Sequence, residues 1–205
     1  MNEEVRLAVD YLYENDLVIK KIIDKIGPCT LSPSHDYFES LVKSIIFQQL
    51  SNQAAKSIYR KFLKELKFKL NPKAVLNLKD NQFRKAGISI QKKSYLLDLS
   101  EKMKHETLDI TRIPDADDEE LIEILTELKG IGRWSAQMFL IFCLIRLDVL
   151  PLDDVGFRKA IQINYGFNEL PSKKEIANIS KKWGSYKSIA AWYLWQSINK
   201  KKMNS

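Results

Sequence analysis

The stretch Leu128-Lys129-Gly130-Ile131-Gly132-Arg133-Trp134-Ser135-Ala136 decides the fold. Before it, Leu121, Ile122, Ile124 and Leu125 recur at helical spacing; after it comes a strongly apolar segment. Two glycines one residue apart let the chain turn sharply and expose successive backbone N–H groups. At the start of a helix such groups form an anion site. A DNA phosphate fits that site, which would fix position without reading sequence. Lys129 and Arg133 are expected to supplement it. An ordinary helix–turn–helix with a glycine cap accounts for the same residues, and the context on either side has to separate the two.

Downstream, a helix is expected from Arg133 to about Leu147. Asp148-Val-Leu-Pro-Leu-Asp153-Asp154-Val-Gly-Phe-Arg158 follows. Pro151 cannot continue the preceding helix, so Asp153 and Asp154 stand at the start of the next one, and one of them should cap it. A carboxylate there meets the positive end of the helix dipole. For the pair taken alone, capping is a sufficient role.

Further out, helical periodicity recurs almost throughout, and no alternating strand of useful length stands out. Val5, Val9, Leu12 and Tyr13 form one stripe, followed by Ile19, Ile22, Ile23 and Ile26, and Gly27-Pro28 ends the region. Ser34 or Asp36 can cap a helix bearing Phe38, Leu41, Val42, Ile45 and Ile46. Another helix is expected over 52–66 with Ala55, Ile58, Tyr59, Phe62 and Leu63 inside, broken by Asn71-Pro72. Shorter helices follow over 81–86 and 91–103, then a loop at Pro114-Asp115. Three more are expected over 154–165, 173–183 and 186–200.

The chain has 205 residues, 45% hydrophobic and 29% charged, a globular composition able to bury a core. A net charge of +7 suits a polyanionic partner, nucleic acid before membrane, although a lysine-rich surface alone produces the same excess. Cys29 and Cys143 lie too far apart in sequence for a zinc or iron–sulfur spacing, and Cys143 reads as core. His35 and His105 read as surface residues, and no metal ligation by side chains is expected. Lys200-Lys201-Lys202 reads as a solvated end. The acidic, helix-spaced N-terminal segment does not read as a signal peptide. The apolar run Met138 to Ile145 is too short to span a bilayer, so no membrane partner is expected.

Leu128-Lys-Gly-Ile-Gly-Arg-Trp-Ser-Ala136 followed by Leu150-Pro-Leu-Asp-Asp154 resembles the helix-hairpin-helix (HhH-GPD) DNA glycosylase superfamily, most closely its 3-methyladenine DNA glycosylase II branch. Ile46-Phe-Gln-Gln-Leu-Ser51 with Ala54-Ala55, Ala86-Gly-Ile-Ser89 with Lys92-Lys93, and Trp183 with Trp195 extend the likeness over most of the chain, in the same order. The resemblance implies an all-α, two-lobed fold without the added N-terminal β domain of larger members. The whole of 1–205 would form one glycosylase unit. One lobe would cover 36–145 with the hairpin, and the other 1–35 plus 150–205.

It also implies a function: hydrolysis of the N-glycosidic bond of alkylated bases, of the 3-methyladenine or 7-methylguanine type, in base excision repair. Asp154 would be catalytic, stabilising an oxocarbenium-like sugar or activating water. Asp153 would be structural, as a cap or a partner of nearby backbone. Trp134, Met138, Trp195 and Gln196 fall at base-pocket positions. Met138 and Gln196 each replace a Tyr, which leaves the substrate range open. Bifunctional relatives carry Lys where this chain has Trp134, so hydrolysis without strand cleavage is expected. Gln48, Gln49 and Leu50 would form the turn that fills the gap left by a flipped base, Gln49 at the wedge position. The implied partner is double-stranded DNA containing a damaged base, and the protein is expected to act as a monomer inside the cell (cytoplasm or nucleoid, or a eukaryotic nucleus). No cofactor is implied beyond a monovalent cation on the hairpin backbone. A glycosylase for deaminated or mismatched bases and a non-catalytic DNA-binding module remain the alternatives.

Overall fold

The computed structural model describes residues 3–34, 36–105 and 116–203, the side chains of Asn52 and of residues 199–203 excepted. His35, the Pro114-Asp115 loop and the side chains of Lys200, Lys201 and Lys202 therefore lie outside the described residues. Among those described, all regular structure is helical, with no strand. In chain order the α-helices are α1 Glu3–Asn15, α2 Leu17–Ile26, α3 Tyr37–Phe47, α4 Asn52–Glu65, α5 Pro72–Leu76, α6 Asp80–Ala86, α7 Ile90–Lys104, α8 Asp118–Thr126, α9 Arg133–Phe139, α10 Val155–Tyr165, α11 Lys173–Ser180 and α12 Lys187–Met203. The chain divides into two compact units: Ser34–Phe139, and Met1–Pro33 together with Leu140–Ser205. Residues 140–145, expected with the hairpin lobe, group with the other unit.

In the unit formed by both ends of the chain, α2 and α10 pack on α12, and α1 packs on α2 and α12. Ile189 to Leu194 of α12 are buried without interruption, so this helix is covered on every side there. Each large apolar side chain taken from water contributes roughly 1.5–3 kcal/mol, and Leu12, Ile19, Phe157, Trp183 and Tyr193 are all fully buried.

The N-terminal stripe is split by a residue that periodicity does not reveal. Asp16 caps α2, its Oδ1 accepting from the Val18 and Ile19 N–H groups at 2.8 and 3.3 Å. Its Oδ2 accepts from the Tyr165 hydroxyl at 2.7 Å and from Trp183 Nε1 at 3.1 Å. Four donors satisfy a carboxylate that is 2% exposed. They tie the α1–α2 corner to the far end of α10. Burial first, and then this carboxylate, push the Tyr165 hydroxyl above the usual tyrosine range.

In the central unit, α3 packs on α4, α7 and α9, α4 on α6, α5 on α7, and α8 on α9. The expected stripe of α3 is buried at Phe38, Leu41, Val42, Ile45 and Ile46, and Asp36 caps the helix through the Glu39 N–H. Asn71-Pro72 starts a helix rather than ending one. The α4 helix has already stopped at Glu65, where Lys67 and Phe68 take positive φ. Asn71 then caps α5 through the Ala74 N–H, with Pro72 at its first turn. A proline is tolerated there because its missing N–H has no helical partner to lose.

The helix expected from Arg133 to Leu147 is also shorter. Its α-helical part ends at Phe139, and Leu140–Leu144 continue as a π-helical turn closed by Ile145 at φ +56°. A π turn inserts an extra residue into the helical repeat and so re-aims the side chains that follow.

Candidate active site and nucleic-acid interface

The carboxylate of Asp154 is positioned by a short chain of local constraints. Ser188 at the start of α12 bonds through Oγ to the Val149 N–H and through its own N–H to Leu147 O, and Lys187 pairs with Asp148. These contacts pin 147–149. Two tight turns follow, Leu152 N–H to Leu150 O and Asp154 N–H to Pro151 O, each at 3.0 Å. Asp154 then caps α10, so one of the expected pair does cap the helix. Its Oδ1 accepts from the Phe157 N–H at 2.5 Å and from Trp195 Nε1 at 2.9 Å. Two donors from different elements on one oxygen fix the plane of the carboxyl group.

Asp153 is not the cap. Its side chain is turned to Lys173 on α11, with which it forms an ion pair. The structural role expected for it is thus taken up by a charged side chain and not by backbone.

Trp195 lies between two rings, Phe142 at 5.4 Å and Phe157 at 6.0 Å between centroids. Its indole is therefore held by stacking and by the bond to Asp154. Gly156 makes this approach possible: a Cβ there would stand 3.2 Å from Asp154 Oδ1 and 3.7 Å from Trp195 Nε1. Gln196, next on α12, is half-buried. Phe142, inside the apolar run Met138 to Ile145, is 44% exposed. The π-helical turn that carries it outward gives no periodic signature.

The hairpin belongs to the central unit, and its two glycines differ. Gly130 has φ +82°, and a Cβ on it would fall 2.1–2.6 Å from Tyr95 ring atoms, so only glycine fits. Gly132 has no positive φ and open space around it, which leaves room for an approaching backbone. The Lys129 N–H donates to Asp98 at 3.0 Å, and the Lys129 ammonium stands 3.5 Å from the same carboxylate. Arg133 forms a bidentate pair with Glu119 at 2.6 and 2.9 Å, which holds that carboxyl below its usual range. Both basic side chains expected to supplement the anion site thus already have acidic partners. Trp134 is 42% exposed, so it is not a core residue, and Met138 is half-buried on the same helix.

The turn after α3 lies in the same unit. Gln49 is exposed at φ +56°, and Leu50 is 38% exposed. The Gln48 amide donates to Gly130 O at 2.7 Å, with Ser135 Oγ at 3.4 Å, and so braces the hairpin.

Three carbonyls at the hairpin already accept hydrogen bonds within the chain. Glu127 O accepts from the Lys102 ammonium at 2.6 Å, Leu128 O from the Ile131 N–H, and Gly130 O from Gln48. No step is therefore assigned to an ion. Among the described residues no cluster of His, Cys, Asp and Glu could hold a metal, and no helix is long and apolar enough to cross a membrane. Cys29 and Cys143 are both buried, and neither is in a disulfide. His105 is exposed.

Known proteins resemble this chain in sequence and fold. Residues 42–185 match the family model described as HhH-GPD superfamily base excision DNA repair protein. The alkylbase DNA glycosidase-like protein mag2 of Schizosaccharomyces pombe is 30% identical over 201 residues, covering 95% of this chain and 94% of its own. The solved DNA-3-methyladenine glycosidase of Bacillus halodurans is 34% identical with a TM-score of 0.80, over 93% of this chain and 88% of that one. The S. pombe 3-methyladenine DNA glycosylase Mag1, solved in complex with abasic DNA, is 29% identical with a TM-score of 0.81, over 92% and 95%. With the family model spanning the hairpin and the Asp154 carboxylate alike, the chain belongs to the HhH-GPD superfamily of base excision DNA repair proteins.

Proposed function

We propose that this chain is a monofunctional DNA glycosylase that hydrolyses the N-glycosidic bond of alkylated bases, of the 3-methyladenine or 7-methylguanine type, in base excision repair. The observation that carries the proposal is the Asp154 carboxylate, gripped on Oδ1 by the Phe157 N–H and Trp195 Nε1. A helix cap requires only the first of these bonds. The second orients the carboxylate, which is what stabilisation of a developing positive sugar demands. The names of the S. pombe and B. halodurans relatives support the alkylbase class.

Cleavage of the glycosidic bond leaves positive charge on the anomeric carbon, and water completes the reaction. In this reading Asp154 stabilises that charge or takes the proton of the attacking water. An alkylated purine is itself cationic and departs without strong acid catalysis. Stacking a cation on an electron-rich ring is worth about 0.5–2 kcal/mol, the role proposed for Trp134 and for Trp195, each within its own unit, with Met138 and Gln196 beside them in sequence as base-contact candidates. The base must first leave the duplex. Gln49 and Leu50 would fill the gap, and the N–H groups at Gly130–Arg133 would hold a phosphate. Trp134 offers no amine nucleophile for attack on the sugar, which supports hydrolysis without lyase chemistry. The same proposal has the protein acting as a monomer inside the cell.

The test is release of methylated purines from duplex DNA by wild type and Asp154→Asn, with the strands resolved before and after alkali. Base release that depends on Asp154, leaving strands intact until alkali is added, is expected. Equal rates would remove Asp154 from the chemistry. Strand cleavage without alkali would overturn the monofunctional assignment. A panel of duplexes carrying uracil or hypoxanthine tests the deaminated-base alternative, and salt-dependent binding with no release of any base would favour a non-catalytic module.

A further inference from the structure

Lys92 lies in the first turn of α7, well away in sequence from both the turn after α3 and the hairpin. Its ammonium donates to Ile46 O at 2.7 Å and to Gln48 O at 2.9 Å. These carbonyls belong to the last turn and the cap of α3, where helical partners run out. Among the described residues no carboxylate pairs with Lys92, and burial alone draws its ammonium below the usual lysine range. Half-burying an ammonium against two carbonyls is a poor way to gain stability. It is a good way to hold two carbonyls in place.

What those carbonyls control is specific. The Gln48 backbone leads directly into Gln49, a non-glycine residue at φ +56°, and then into exposed Leu50. Besides the Lys92 bonds, a long backbone bond from the Leu50 N–H to Phe47 O, 3.4 Å, spans this turn. The Gln48 side chain reaches the other way, to Gly130 O and Ser135 Oγ. Lys92 grips the backbone of the same residue whose amide grips the hairpin.

We propose that Lys92 is a positioning residue: its ammonium fixes Gln48, and through Gln48 sets the turn that would enter the DNA gap in register with the hairpin that would hold the phosphate. This rests on the glycosylase reading above. It goes beyond it by assigning lesion engagement to a side chain that touches neither base nor sugar. Lys92→Met keeps the apolar stem and removes charge and donors, whereas Lys92→Arg keeps both.

The experiment measures affinity of wild type, Lys92→Met and Lys92→Arg for two duplexes of one sequence, one undamaged and one with a single abasic site, alongside thermal unfolding. Lys92→Met is expected to lose about tenfold in affinity for the abasic duplex and less than twofold for the undamaged one. Its melting temperature should be unchanged or higher, and Lys92→Arg should recover most of the lost affinity. Equal weakening on both duplexes, or a fall in melting temperature that accounts for the loss, makes Lys92 merely structural and overturns the proposal, as does a Lys92→Met variant that discriminates like wild type. Wild type that does not distinguish the two duplexes would instead overturn the glycosylase reading on which the proposal rests.

Discussion

Replacing Gly130 with alanine should damage the hairpin from inside, and the size of the effect follows from two terms. The new Cβ would sit at φ +82°, a left-handed conformation that costs an ordinary residue about 1–2 kcal/mol. It would also lie 2.1 Å from Tyr95 Cδ2 and 2.4 Å from Cε2, so the ring must move. That ring is anchored, its hydroxyl bonded to Gln91 at 2.6 Å, and forcing a packed side chain aside costs about 1–3 kcal/mol. Together the terms give roughly 2–5 kcal/mol. For a chain of this size that lowers the melting temperature by about 2–4 °C per kcal/mol. Gly132→Ala is the control. Nothing stands within 4 Å of its Cβ, so stability should hold within about 1 kcal/mol, but a methyl would occupy the open face where a phosphate would approach. Thermal unfolding and duplex-binding titrations of the two variants separate these effects. Gly130→Ala should lose both stability and binding, and Gly132→Ala binding alone. A Gly130→Ala variant that melts and binds like wild type would refute the steric argument.

Three further outcomes follow from the site. Trp195→Phe keeps a ring between Phe142 and Phe157 but loses the bond to Asp154. A hydrogen bond to a charged group contributes about 1.5–3 kcal/mol to stability, so unfolding should shift by up to that much, and the single-turnover rate of base release should fall severalfold or more as the carboxylate loses its orienting donor. Gly156→Ala should slow base release without a gain in stability, because its Cβ would stand 3.2 Å from Asp154 Oδ1 and the cap carboxylate would have to give way; denaturant unfolding and rate are measured on the same samples. Glu119→Gln releases Arg133 from a bidentate pair and removes a negative charge beside the hairpin. It should tighten duplex binding and make its salt dependence steeper by up to about one unit in log–log slope.

Much of this was legible in the sequence because it is local. The hairpin glycines, the apolar stripes of α3 and α4, and the cap at Asp154 each depend on neighbours within a few residues. What escaped is of two kinds. Asp16 and Asn71 are polar residues inside or beside helical patterns. Periodicity counts apolar positions and is blind to a cap that divides one stripe in two. The remaining misses are long-range partnerships. Gln48 bonds across 82 positions to Gly130, Lys92 reaches back 46 positions to Ile46, Asp98 takes the Lys129 N–H, and Trp195 meets Asp154 across 41. Residue type allowed each of these bonds, and only the fold selected them. The acidic neighbours of the hairpin were hidden in the same way: Asp98 and Glu119 stand beside Lys129 and Arg133.

The carboxylate is the centre of the account, and single-turnover release of 3-methyladenine or 7-methylguanine from methylated duplex by Asp154→Asn tests it most directly. Asparagine can still accept the Phe157 and Trp195 N–H groups through its oxygen, so the fold and the cap should persist while the charge is gone. Loss of one preorganised electrostatic group typically costs about 10²–10³ in rate. The expected result is a fall of that size with duplex affinity kept within a few-fold. Wild-type release by Asp154→Asn would contradict the claim that this carboxylate does the chemistry.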